Sequence, residues 1–160
     1  MSRTGLRTTL STQGLKQLRA QVGRSSRILT IGVHEGATAD VDDGNIKRSV
    51  PIAPYAAANE FGTTKIPKRP FLENTMNANA KAWDRYLAKE LKRRKMNIQS
   101  ALNALGYVAV GDVRATIKEG NFAPLKQKTI EAKERKGRPE PKAILIDTGS
   151  LMKSIGHQVK

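Results

Sequence analysis

The sequence predicts an α+β fold: a small antiparallel or mixed sheet packed against a long helical hairpin, with extended loops and a basic N-terminal arm. Three observations carry that expectation. Two long stretches, from Pro70 to Lys95 and from Ile98 to Glu119, repeat apolar residues at helical spacing. Two short β-branched runs, near residues 27–34 and 154–159, read as strands able to pair with each other. Glycine and proline stand between these stretches, where turns and helix ends are needed. At 160 residues the chain fits one domain, read as a flexible arm over residues 1–10 followed by a folded unit over 11–160.

The elements follow in order. Residues 1–9 are polar and basic. Ser11 is placed to cap a helix carrying Leu15, Leu18 and Val22, which Gly23 would stop. Arg27–His34 alternates as a strand with Leu29, Ile31 and Val33 on one face. Residues 35–50 hold the acidic residues Glu35, Asp40, Asp42 and Asp43 with Gly36 and Gly44, and read as a flexible loop or hairpin. Pro54 suits a first helical turn, and Tyr55, Ala58 and Phe61 share a face of the short helix that Gly62 ends. Pro67 and Pro70 impose an extended path.

The first long helix then places Leu72, Met76, Ala80, Trp83, Leu87 and Leu91 in one stripe. The second does so with Ile98, Leu102, Leu105, Ala109, Val113 and Ile117. Gly106 and Gly111 weaken it by about 1 kcal/mol each relative to alanine, and allow another helix to approach closely. Pro124–Lys136 reads as a third, shorter helix with Leu125, Ile130 and Ala132 to bury. Ala143–Ile146 is a short apolar strand candidate, Asp147-Thr-Gly149 a turn, Ser150–Lys153 a single helical turn, and Ser154–Val159 a terminal strand to pair with residues 27–34.

Composition narrows the function. A net charge of +15 directs the chain toward polyanions: nucleic acid, an acidic membrane surface or an acidic protein face. The cations cluster before Glu35, at Arg85, Lys89, Lys92, Arg93, Arg94 and Lys95, and at Lys126, Lys128, Lys133, Arg135, Lys136, Arg138 and Lys142. Basic clusters and one acidic island on the same chain suit head-to-tail contact between copies in a ring. A hydrophobic content of 38% with 4% aromatics is thin for a self-sufficient core, and such a core is often completed against neighbouring subunits. The chain has no cysteine, which excludes disulfides and thiolate metal sites. No apolar run approaches the ~20 residues needed to span a bilayer, and no signal-peptide core opens the chain, so it reads as soluble and made in the cytoplasm.

Catalytic signatures are missing. His34 and His157 have neither cysteine nor His-x-x-x-His spacing beside them, so no metal or cofactor is expected. Asp40, Asp42 and Asp43 resemble part of a calcium loop, but its twelfth position is Pro51 rather than glutamate. Neither GxxxxGK[ST] nor GxGxxG occurs, and no Gly-x-Ser-x-Gly elbow surrounds Ser150. The chain reads as a binding or structural protein rather than an enzyme.

Two motifs stand out as joints. In the first, Tyr55-Ala-Ala-Ala-Asn59-Glu60-Phe61-Gly62-Thr63 runs into Ile66-Pro67-Lys-Arg69-Pro70-Phe71-Leu72. Gly62 is expected in the left-handed conformation, with Phe61 buried beneath the turn and Tyr55 flanking it. Glu60 is expected to pair with Arg69 or a neighbour's basic patch, or else to stand as an exposed charge; Phe71 and Leu72 anchor the next helix. In the second, Leu145-Ile-Asp147-Thr148-Gly149-Ser-Leu151-Met-Lys-Ser-Ile155, Asp147 or Thr148 accepts backbone N–H bonds and Gly149 gives the turn, while Leu151 and Ile155 point into the core.

In this order, with helices between them, the two motifs resemble the neck and tail-completion proteins of tailed bacteriophages, a group of virion morphogenesis and head–tail joining proteins. The resemblance covers most of the chain from residue 27 onward; Lys68 stands where the group often has a small residue. It implies a non-enzymatic α+β subunit of a homo-oligomeric ring of six or twelve copies. Such a ring acts as collar, adaptor, tail-completion or tail-terminator component in the virion neck. The implied partners are neighbouring neck, portal-adaptor and tail proteins, with non-specific contact to packaged DNA and none to membrane. Arg85, Lys89, Lys92, Arg93, Arg94, Lys95, Lys133, Arg135 and Lys136 are the candidate contacts to DNA or an acidic partner. A free non-specific nucleic-acid-binding protein and an assembly chaperone absent from the mature virion are the alternatives.

Overall fold

The computed structural model describes residues 27–42, 47–95 and 97–160. The arm over residues 1–10, the helix expected from Ser11 and residues 43–46 of the acidic loop lie outside the described residues. The architecture is α+β, a helical hairpin on small antiparallel strand pairs. Strand β1 (Leu29–Val33) and strand β4 (Ile155–Val159) form an antiparallel ribbon with Ile31 opposite His157 and Val33 opposite Ile155. The expected pairing of the two runs is the one observed. Ile28 and Lys160 extend the ladder with reciprocal 3.0 Å backbone bonds.

The acidic segment forms a second antiparallel ribbon, β2 (Thr38–Asp42) with β3 (Lys47–Pro51). Helix α1 (Ile52–Phe61) starts directly from it, and Pro54 lies in its first turn, where its missing N–H costs nothing. Helix α2 (Phe71–Arg93) follows the proline-stiffened segment. Lys95, at φ 50°, turns the chain into α3 (Ile98–Glu119). Asn97 caps α3 by accepting the Ser100 N–H at 2.9 Å, and Gly120 ends it in the left-handed region. Helix α4 (Gln127–Arg135) and the short α5 (Ser150–Ser154) complete the chain before β4.

Helix α3 is the centre of the packing, touching α2 on one side and both strands of the β1–β4 ribbon on the other. Its buried face holds Leu105, Ala109, Val113 and Ile117, as the apolar spacing predicts, together with Ala101, Gly106 and Val110. Phe71, Val113, Ile117 and Ile155 are the largest apolar side chains fully withdrawn from water, each contributing about 1.5–3 kcal/mol. Ile52, Ala56, Leu145 and Leu151 join them in one cluster, so α1, α5 and the C-terminal loop share the core of the hairpin.

Three local expectations are corrected. The buried face of α2 is rotated from the expected stripe: Met76 is 55% exposed and Ala80 is exposed, Leu72, Trp83, Leu87 and Leu91 are half-buried, and Phe71, Thr75 and Glu90 are buried. Polar contacts turn the helix, with Thr75 Oγ1 2.8 Å from Thr116 Oγ1 and the Trp83 indole N–H donating to Asp112 at 2.7 Å. Ala143–Ile146 is not a strand, because Leu145 has φ 62° and the carbonyls of Ala143 and Ile146 are taken by the Lys133 ammonium. Gly106 admits a strand rather than a helix: the His157 ring of β4 occupies the space that a Cβ at this position would need.

Candidate functional site

The first motif builds a buried polar joint between α1 and α2. Asn59 fixes its orientation by donating from Nδ2 to the Tyr55 carbonyl at 2.9 Å, leaving its Oδ1 to accept from Arg69 at 3.2 Å. The Arg69 guanidinium, itself buried, also donates to the carbonyls of Ala123 and Pro124 at 3.0 and 3.3 Å. Its fork therefore ties the motif to the loop between α3 and α4. Glu60 does not pair with Arg69. Its carboxylate accepts the backbone N–H groups of Leu72 and Glu73, each at 2.9 Å, and so caps the first turn of α2, where orphan donors and the helix dipole favour an anion.

Gly62 has the expected positive φ, 77°, but its ψ of 168° is extended rather than left-handed. The chain leaves α1 into the extended Thr63–Pro70 segment, and a Cβ on Gly62 would lie 3.0 Å from the Lys68 nitrogen. That geometry turns Phe61 outward. It is 76% exposed, not buried beneath the turn, and Tyr55 is 48% exposed. Phe71, in contrast, is fully buried and anchors α2 as expected.

The second motif meets the first across a cleft of about 570 Å³. Tyr55 and Ile52 line one wall, Asp147, Thr148 and Leu151 another, and Lys133 of α4 the base. Thr148 accepts the Ser150 N–H at 3.4 Å, while Asp147 turns away to form a two-pronged pair with Arg138 at 2.9 and 3.3 Å. Gly149, at φ 78° and ψ 1°, makes the turn; Leu151 and Ile155 enter the core as predicted. Loss of water around the Tyr55 phenol raises its pKa, with help from the Asp147 carboxylate and opposition from Arg69 and Asn59. Burial likewise lowers the pKa of Lys133, partly offset by Asp147.

The candidate basic contacts divide. Lys133 is only 9% exposed and donates to the carbonyls of Ala143 and Ile146 at 2.7 and 2.5 Å. It staples the C-terminal loop and is closed to a partner. Arg93 and Arg94 both bond the Glu90 carboxylate, at 2.8 and 2.7 Å, and hold its pKa down to about 2. Arg85, Lys89, Lys92 and Lys95 stand exposed along α2 and just beyond it, and Arg135 and Lys136 stand exposed on and after α4.

Arg114 is a positioning residue that sequence patterning missed. It reaches from α3 to the carbonyls of Met152 and Ile155 at 3.1 and 2.9 Å and clamps the junction of α5 and β4. Its one signal is a cation set directly after Val113, at the edge of the apolar stripe. No described helix is long and apolar enough to cross a membrane. Comparison with protein-family models, with curated proteins and with solved structures finds no match to this chain.

Proposed function

We propose that the chain is a structural subunit of the head–tail neck of a tailed bacteriophage, forming a ring that joins the portal complex to the tail. It acts by shape and contact, as collar, adaptor or tail-completion component, and carries out no reaction. One observation supports this reading above the others. The two motifs that carry the resemblance converge: Ala56 and Phe71 of the first share a core with Leu145, Leu151 and Ile155 of the second, and both motifs line the same cleft. Residues brought together this way build a joint, and their polar groups are spent on backbone caps and carbonyls rather than poised toward a substrate. The same joint leaves Phe61 in water in the isolated chain, and a neighbouring subunit of the proposed ring would cover it.

The test is cryo-microscopy and mass spectrometry of purified virions of the source phage. A symmetric ring of this chain below the portal, in six or twelve copies, is the expected result. Absence of the chain from the particle would overturn the neck reading and favour an assembly chaperone.

A further inference from the structure

Helix α2 carries a row of cations that the fold does not use. Lys81, Arg85, Lys89 and Lys92 are all exposed, and none of their side chains has a hydrogen bond or ion pair among the described residues. At 100° and 1.5 Å per residue the four fall within a sector of roughly 80° and span about 16 Å of the helix. They lie opposite Glu90, the buried carboxylate of the same helix. Ala82 and Ala88, both exposed, flank the row along its length, and Ala78 stands one turn before it. Of the acids of α2, Glu73 is held by Lys68 at 2.7 Å and Glu90 by Arg93 and Arg94. Asp84 is exposed and sits at the margin of the row, roughly 60° from Lys81.

We infer that this face docks on the phosphate backbone of duplex DNA, without reading its sequence. The chemistry on the face selects that occupant. A straight, rigid line of cations matches a polymer carrying one charge per about 1.7 Å of its axis, and alanines beside the cations let the helix lie close against it. The row itself carries no aromatic side chain, and Tyr86 stands half-buried at its far margin, roughly 60° from Lys89, so the face lacks the stacking platform that single-stranded bases need. With no large apolar side chain, it has nothing to insert into a lipid surface. Arg85 and the lysines contact phosphates, which position a protein on DNA but carry no sequence information. The proposal does not rest on the neck reading: it concerns the purified chain, and either can fail while the other stands.

The test is titration of a mixed-sequence DNA duplex with the full chain at several salt concentrations between about 50 and 200 mM. Two variants are compared with the parent. One replaces the row (K81A/R85A/K89A/K92A); the other removes as many exposed cations elsewhere (K118A/K128A/R135A/K142A). The row variant should bind more weakly, and its slope of log affinity against log salt should shrink by about three to four, near 0.9 for each phosphate no longer neutralised. The control should keep most of the parent slope. Circular dichroism establishes that both variants are folded, and glutamine at the same four positions serves if alanine perturbs the helix. An unchanged slope in the row variant would overturn the proposal, as would an equal loss in the control, which would mean that only net charge matters. Displacement of the duplex by polyglutamate, charge for charge, would overturn it in favour of an acidic protein partner. Equal affinity for single-stranded DNA would also count against it.

Discussion

Glu60 shows how one side chain joins two helices. It belongs to the last turn of α1, yet both of its oxygens serve the first turn of α2, at Leu72 and Glu73. The carboxylate is 6% exposed, so the charge is tolerated because two N–H donors and the positive end of a long helix replace the lost water. Glu60→Ala should therefore cost about 2 kcal/mol, the scale of a lost cap together with a lost charge-assisted bond. Glu60→Gln, which keeps one carbonyl oxygen but turns an NH2 toward the second donor, should fall between the two. Urea unfolding followed by circular dichroism measures this, and a Glu60→Ala midpoint equal to the parent's would refute the capping role. The sequence marks Glu60 as important but not its partner. Sign of charge points to Arg69, whereas the decisive acceptors and donors are backbone groups: carbonyls of Ala123 and Pro124 for Arg69, amides of α2 for Glu60. Backbone groups are identical at every position, so composition cannot announce them.

At the scale of the element, α3 carries two glycines that the sequence treats alike and the fold does not. A Cβ on Gly111 would meet nothing within 4 Å, and the position is exposed. A Cβ on Gly106 would overlap ring carbons of His157, which β4 holds against the helix and which also packs edge-on against Tyr107 at 4.6 Å. Gly111→Ala should therefore stabilise the protein by about 1 kcal/mol, the ordinary helix-propensity gain. Gly106→Ala should destabilise it by about 1 kcal/mol, because overpacking exceeds the same gain. In a chain already carrying His157→Ala, the Gly106 substitution should turn stabilising, a coupling that a double-mutant cycle of thermal unfolding reads directly. Two stabilising glycine substitutions in the parent chain would show that the ring moves aside freely. The α3 stripe is legible in the sequence because its apolar residues face both α2 and the ribbon. The α2 stripe misleads in part, leaving Met76 and Ala80 in water while Leu72 packs on the core, because polar pairs, Thr75 with Thr116 and Trp83 with Asp112, set the helix's rotation and apolar periodicity does not register them.

For the whole molecule, fold class and the pairing of the terminal strand are readable from periodicity and turn residues. The cleft is not, since it forms only where α1, α4, α5, the C-terminal loop and the β2–β3 ribbon come together. Assembly poses an electrostatic problem at this scale. Copies that each carry +15 repel one another, so a ring needs short-range apolar contact, a polyanion or an acidic partner to hold it. In the proposed ring, Phe61 would supply the apolar contact most directly. Its side chain is 76% exposed in the isolated chain, so it adds little to the folding of one subunit, while covering it between subunits would contribute about 2 kcal/mol at each contact. Phe61→Ser should then leave the unfolding free energy of the monomer within about 0.5 kcal/mol of the parent. The same substitution should abolish or sharply weaken self-association in sedimentation velocity at moderate salt, where repulsion is screened. A variant that unfolds and associates as the parent does would remove Phe61 from the interface. A variant that unfolds early would mean that the ring packs within its own chain, and the outward aromatic would lose its meaning as a subunit contact. Folding and association are separable here because the side chain stands at the end of α1, beyond the Asn59–Arg69 bond and the Glu60 cap that hold the joint.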